Sequence, residues 1–465
     1  MTTEQSFKSI LHIGFDDTDS TNGRCTTHLA FKIVSHLLKK NDDTAFIDYP
    51  LLIRLNPNIP WKTRGNGAVC LRIATNNVEE KIDFIKEIIR KDSFIGEGAN
   101  PAVAFFEGCT IPNGIKNLSN TAMYDIISIQ EAENVAIKNK IIFSKFGNGQ
   151  GLVGAIAAIG NSLNEDHTFE VIAYRREENL GSKRIVDEAK VIMIDKHTRP
   201  YTFNNYDYQH KRVLIAPHGP DPVFCGIRGE NPHVLIDSFN NLQIEEKLDG
   251  YMIYRTNQGT NIHLANPLDL SNLRVHTSGY LKCYVSTKPH AIQGGHTLFY
   301  VNNSLENKNE RCLVAVYEPT GLTKIASQLE IGDLIQIGCG VRESNEVYPK
   351  TLNVEYLSVL NVTNIYDTIN PICKVCNKRM KSEGKDKGYQ CEKCGYKNRN
   401  GNKIKILRKR NLNVGLFLST PKAHRHLTKP LHRYGLEKKL DNDEILNANR
   451  KKQLLLSTNW FRSDL

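Results

Sequence analysis

Residues 11–27, LHIGFDDTDSTNGRCTT, carry the pattern of a strand, an acidic loop and a helix start. The apolar lead Ile10-Leu11-His12-Ile13 reads as a buried strand running straight into Asp16, Asp17 and Asp19. Ser20, Asn22 and Gly23 then turn the chain, and from Thr26 onward Leu29, Ile33 and Leu37 recur at helical spacing. Carboxylates crowded at a strand end repel one another unless a cation stands between them. Oxygen-rich clusters of this kind suit Mg²⁺, which usually brings phosphates with it. The hydroxyls of Thr26 and Thr27 fall at the helix N-terminus, where unpaired N–H groups and the dipole favour an added phosphate. A metal–nucleotide site and a phospho-acceptor thus share one segment. An acidic turn that only caps the helix is the plainer alternative.

Outward from this stretch, AFIDYPLLIRLN and AVCLRIA read as strands around the loop PNIPWKTRGNG. There Lys62 and Arg64 stand beside Gly65-Asn66-Gly67, a combination of cations and closely approaching backbone that suits phosphate. No GxxxxGK[ST] occurs, which excludes a standard P-loop NTPase. VEEKIDFIKEIIRKD (78–92) is an amphipathic helix, and a further helix is expected from Thr121 to about Asn139. Residues 140–262 alternate strands (TFEVIAYR, YMIYRTNQG) with helices (GLVGAIAAIG, HVLIDSFNNL), the pattern of a ferredoxin-like layer. In GIRGE, Glu230 is a candidate for a cationic ligand, or a simple partner for Arg228. From 272 to 362 short strands separated by turns suggest a small OB-type barrel. Cys373-x₂-Cys376 and Cys391-x₂-Cys394, fourteen residues apart, have the spacing of a Zn²⁺ ribbon.

Charge separates the chain into two characters. Residues 373–452 hold 23 Lys+Arg against 7 Asp+Glu, so the basic end carries more than the whole net charge of +11. That asymmetry points to a bound polyanion. PKAHRHLTKPLHRYG interleaves Arg425, Lys429 and Arg433 with His424, His426, His432 and Tyr434, which reads as phosphate contact with a stacking ring available. No apolar run reaches the roughly 18–20 residues of a membrane span, and no secretory signal pattern opens the chain. The scattered cysteines fit a reducing, cytoplasmic compartment.

Taken in order, GFDDTDSTNGRCTTHLA, RLNPNIPWKTRGNGAV, GLVGAIAAIG with IAYR, GIRGE, GGHTLFY, NPICKVC…CEKC and AHRHLTKPLHR resemble the archaeal tRNA-isoleucine 2-agmatinylcytidine synthetases, nearly end to end. The resemblance implies an α+β multidomain protein. It divides into a kinase-like α/β domain (1–139), a ferredoxin-like domain with the agmatine site (140–265), an OB-fold (270–364), a zinc ribbon (370–400) and a basic tRNA-binding region (401–465). It implies a ligase that activates the wobble cytidine of an isoleucine tRNA with a CAU anticodon by phosphoryl transfer from ATP. Agmatine then displaces phosphate, so that the tRNA reads AUA, and ATP ends as AMP. By the same resemblance Asp16, Asp17 and Asp19 hold Mg²⁺–ATP and Thr26 is autophosphorylated. Lys62, Arg64 and Gly65-Asn66-Gly67 contact nucleotide or tRNA. A guanidinium should meet a carboxylate, for which Glu230 is the choice, and the basic pattern makes Arg425, Lys429 and Arg433 the tRNA grip. The expected cofactors are ATP, Mg²⁺ and Zn²⁺, with tRNA and agmatine as substrates and no membrane or obligate protein partner. A non-catalytic RNA-binding protein and a metal-dependent phosphohydrolase are the competing readings. The segment after Lys439, ending LLLSTNWFRSDL, carries no assigned role.

Overall fold

In a computed structural model of the chain, residues 7–20, 23–39, 44–62, 65–306, 310–438 and 444–465 are described, 444–450 by their backbone alone. The strand Ser9–Asp16 lies inside an 11-stranded mixed sheet, between Gly67–Thr75 and Ala102–Glu107, both antiparallel to it. Alternation along this strand sends Leu11, Ile13 and Phe15 into a core with Leu29, Ile33 and Leu37 of helix Thr26–Lys39 and Ile82, Ile85 and Ile89 of helix Val78–Asp92. The opposite face packs on helix Gly151–Gly160. There a Cβ on Gly14 would stand 2.9 Å from the Ala155 carbonyl carbon, so only glycine admits so close an approach.

That helix, expected in the second unit, therefore covers the first. The two expected units also share the sheet itself. Leu51–Arg54 pairs in parallel with Leu248–Thr256, Leu51 opposite Arg255, and Thr168–Arg175 and Val223–Gly229 continue beyond. At this seam the buried Arg255 donates from Nη2 to Asp48 Oδ2 at 2.5 Å. The single helix expected from Thr121 to about Asn139 is two, Asn113–Ala122 and Ile129–Lys138. The break is chemical: Ser128 and Glu131 form a reciprocal capping box that starts the second helix.

Strands Ser278–Val285, Thr297–Asn302, Arg311–Val316, Leu334–Arg342 and Thr351–Asn361 close into an OB-type five-stranded barrel, the first pairing with the second as well as the fourth. The ribbon follows, and Gly415–Leu418 then returns to pair with the barrel. The last segment has a structural role. Helix Glu444–Ser457 leads to Phe461–Ser463, which pairs with Leu248–Thr256, while Leu455 is buried and Trp460 packs edge-on to Phe46 and Tyr49. Among the described residues no helix is long and apolar enough to cross a membrane.

Candidate active site

The acidic loop opens into a cavity of about 740 Å³. Asp16 ends its strand, and Asp17 turns the chain in the left-handed conformation (φ 56°), its N–H donating to Asp16 Oδ1 at 2.7 Å. Asp17 Oδ2 accepts from the Asn100 N–H at 3.2 Å. Two helix N-termini converge here. Thr26 begins one, and its Oγ1 accepts from Thr18 Oγ1 at 3.1 Å. Gly151 begins the other, and a Cβ on Gly154 would meet the Asp16 carboxylate. The second helix end escaped sequence reasoning, although the run of small residues at 151–160 was its signal. Burial and the neighbouring Asp17 charge push Asp16 up to about 8. Burial pushes Asp17 up to about 7, with Asp19 adding to it. Carboxylates that hold protons near neutrality are short of positive charge.

The glycine loop has an unexpected tenant. Arg54 lies across it, so that a Cβ on Gly65 or Gly67 would fall 2.7 Å or 2.8 Å from Arg54 Nη1. Asn66, at φ 47°, holds the turn by donating from Nδ2 to the Asn56 carbonyl at 2.8 Å. Lys62 lines the cavity from its exposed rim, beside the half-exposed Trp61. Arg64 lies outside the described residues. On the other wall Glu170 is buried, accepting from Arg228 Nε at 2.9 Å and Gln258 Nε2 at 2.5 Å. The half-buried His426 stands against that pair, its Nδ1 3.0 Å from both Arg228 Nη2 and Gln258 Oε1. A second cleft of about 620 Å³ shares Arg54, Lys62 and Arg228 with the first and adds Arg212, Lys422 and Arg425.

Several expectations are corrected here. Glu230 does not line the cavity: its oxygens accept from Arg433 Nε at 2.5 Å and Lys438 Nζ at 2.8 Å. Arg433 is fully buried, also donating to Asp166 at 2.9 Å, and so does not face RNA. Lys429 is buried too, bonded to Glu437 and 4.9 Å from the Tyr434 ring centre. Cations cannot stay buried without carboxylate partners, and Glu230 and Asp166 lie far from Arg433 in sequence. His426 is likewise inward-facing. Arg425 keeps its side chain 40% exposed, between Asn58 at 2.7 Å and Glu355 at 3.3 Å.

In the ribbon, the sulfurs of Cys373, Cys376, Cys391 and Cys394 lie within 4.8 Å of one another. Tetrahedral Zn²⁺ with bonds of about 2.3 Å requires sulfurs about 3.8 Å apart, so the quartet fits the ion. Backbone N–H groups of Cys394 and Lys393 draw the Cys391 thiol down to about 6, towards the thiolate the metal needs. Among the described residues this is the one group of three or more potential ligands so gathered. The three aspartates are not.

Known proteins resemble this chain over most of its length. Family models match residues 12–102 (TiaS TCKD domain), 149–263 (TiaS FLD domain) and 370–412 (TiaS C-terminal zinc ribbon domain). The isoleucine-tRNA 2-agmatinylcytidine synthetase TiaS of Cenarchaeum symbiosum is 40% identical over 93% of this chain and 95% of its own. That of Staphylothermus marinus is 39% identical over 95% and 97%. Among solved structures, the complex of TiaS with its isoleucine tRNA and ATP superposes with a TM-score of 0.80 at 33% identity, covering 92% of this chain and 98% of that one. The complex of TiaS with the same tRNA, AMPCPP and agmatine gives 0.79 at 31% identity over 92% and 98%. The chain, matched over nearly its full length by proteins of that name, belongs to the TiaS family of isoleucine-tRNA 2-agmatinylcytidine synthetases.

Proposed function

We infer that this protein conjugates agmatine to carbon 2 of the wobble cytidine in the CAU anticodon of isoleucine tRNA, using ATP. The observation that carries the reading is the cavity where the acidic loop, two helix N-termini and a basic cleft meet. The cytidine 2-oxygen is a poor leaving group. Phosphoryl transfer from ATP makes it a phosphate ester. The agmatine amine then forms the C–N bond as the C–O bond to phosphate breaks, and the amine gives up its proton.

From Asp16, Asp17 and Asp19 a Mg²⁺ ion would take one or two carboxylates, completing its shell with the nucleotide's phosphates and water. The bound ion would neutralise charge on the transferring phosphoryl group. Helix Gly151–Gly160 directs its N-terminus at the same point. Thr26 is the phospho-acceptor of this loop, and Lys62 with Gly65-Asn66-Gly67 meets nucleotide or RNA phosphate. Trp61 offers a stacking surface for a base turned out of the anticodon. The acidic lining left to the guanidinium comprises Asp125, Glu170 and Asp221. RNA backbone follows the second cleft past Arg212, Lys422 and Arg425. Work on tRNA makes the cytoplasm its place.

The test combines protein, ATP, Mg²⁺, agmatine and a tRNA transcript bearing CAU, followed by nucleoside mass spectrometry. An agmatine adduct on the wobble cytidine that disappears with Asp17→Ala is expected, with Thr26→Ala run beside it. Tight tRNA binding by folded, zinc-loaded protein without any adduct would favour a non-catalytic RNA binder instead.

A further inference from the structure

At the opposite end of helix Gly151–Gly160 from the acidic loop lies a cavity of about 70 Å³, walled by His12, Asp48, Arg72, Ser162, Asn164 and Lys451. Asp48 is its one carboxylate among the described lining residues. Arg255 Nη2 binds it at 2.5 Å, while Arg72 Nη1 and Lys451 Nζ stand at 3.5 Å and 3.6 Å. Part of this positive charge answers the helix C-terminus. Arg72 donates to the Asn161 carbonyl at 3.0 Å, Arg255 to those of Ser162 and Leu163 at 3.0 Å, and Lys451 approaches that of Ser162 at 3.4 Å. A helix C-terminus amounts to about half a negative charge, so with Asp48 it leaves Arg72, Arg255 and a protonated Lys451 in surplus by about one and a half charges.

Two nitrogens at the cavity wall are unmatched. Arg72 Nε and His12 Nδ1 have no hydrogen-bond partner among the described residues, although Arg72 is 6% and His12 4% exposed. Burial, with Arg72 adding to it, drives His12 down to about 3, and burial with the nearby Arg255 brings Lys451 down to about 7. His12 is therefore neutral. Its Nε2–H donates to the Gly108 carbonyl at 3.0 Å, which leaves Nδ1 as an acceptor. Beside the Asp48 carboxylate, which the cations already hold, the wall thus presents cationic donors and one unmatched acceptor, His12 Nδ1.

We propose that this cavity binds a small oxyanion that carries its own O–H, namely inorganic phosphate in a protonated form. The unprotonated oxygens would take the Arg72 Nε–H and the Lys451 ammonium, and the remaining P–OH would donate to His12 Nδ1. Sulfate satisfies the charge but has no proton at neutral pH to give His12. A nucleotide is excluded by size, whereas one water needs only about 10–15 Å³, so the space suits a tetrahedral ion. The exposed Cys109 marks the mouth. The site stands apart from the active-site cavity, because His12 and Asp16 are four residues apart on one strand, about 13 Å. Lys451 comes from the C-terminal helix, which gives that segment a role in ligand binding as well as in packing.

The experiment titrates full-length protein with inorganic phosphate and with sulfate by calorimetry, the active site first saturated with magnesium and a non-hydrolysable ATP analogue. One phosphate per chain is expected, favoured over sulfate by about tenfold or more, the worth of a charge-assisted or buried hydrogen bond. Lys451→Gln weakens phosphate by about tenfold or more on the same grounds and leaves tRNA-dependent ATP consumption intact. His12→Phe brings phosphate down to the level of sulfate. The proposal is overturned by absence of phosphate binding to the wild-type chain with its nucleotide site filled, by equal affinity for sulfate, or by binding that both variants leave unchanged.

Discussion

Gly154→Ala isolates the positioning of Asp16. The new Cβ would stand 2.7 Å from Asp16 Cγ and 2.9 Å from Asp16 Cβ. Carbon–carbon contacts settle at about 3.5–4.0 Å, so the carboxylate must retreat by about 1 Å. The strand behind it cannot yield, being paired on both sides and pressed to the same helix at Gly14. The side chain therefore rotates away from the loop. A reactive group misplaced by about 1 Å costs about a hundredfold in rate. Stability changes little, because alanine gains about 1 kcal/mol over glycine within a helix and the strain returns about 1–3 kcal/mol. The assay is agmatine- and tRNA-dependent ATP consumption, with urea denaturation as the control. Gly14→Ala is the contrast: its Cβ meets the Ala155 backbone, and the loss should appear in stability. A folded Gly154→Ala protein within twofold of wild-type turnover would refute the claim that the cleft requires Asp16 where it stands.

Other outcomes separate the buried cations from the RNA-facing ones. Arg433→Gln removes the buried cation between Glu230 and Asp166, leaving them only Lys438 and Lys429, and should cost about 3–5 kcal/mol in urea unfolding, with no change in the salt dependence of tRNA binding. Arg425→Gln should do the reverse, lowering the salt slope by about one with little loss of stability. Metal analysis should find zinc bound to the wild-type chain and lost from Cys391→Ser, with the ribbon unfolding in a chelator. For Asp16 and Asp17 the folded values, about 8 and about 7, lie above the unfolded carboxylate value of 3.8. The folded, magnesium-free protein thus binds more protons than the unfolded chain, and its stability should fall as pH rises from about 4 to 8. Asp16→Asn should flatten that fall, and Mg²⁺ with ATP should release protons near pH 7, measurable by calorimetry in buffers of differing ionisation enthalpy. A pH-independent stability common to both proteins would contradict the charge crowding described here.

Local chemistry made much of this molecule legible from its residues. The end of a strand, three aspartates and the start of a threonine-led helix sit within seventeen consecutive positions, and four cysteines at ribbon spacing need only one another. The strands of the barrel and the second unit announce themselves by periodicity, which depends on near neighbours alone. What stayed hidden depends on partners far along the chain. GIRGE and HRYG look alike as accessible polar motifs, yet Glu230 and Arg433, 203 positions apart, neutralise each other out of water. Glu170 reads as one polar residue in an apolar strand until Arg228 and Gln258 close around it. Arg54 reads as the end of a strand until the glycine loop is seen to carry it. The shared sheet, and the C-terminal strand that completes it, required the parallel pairing of Leu51 with Arg255. A sequence displays which groups carry charge and which surfaces avoid water. Whether a given charge meets solvent, substrate or an opposite charge depends on what the folded chain brings beside it, because the cost of burying an ion is set by its neighbours in space.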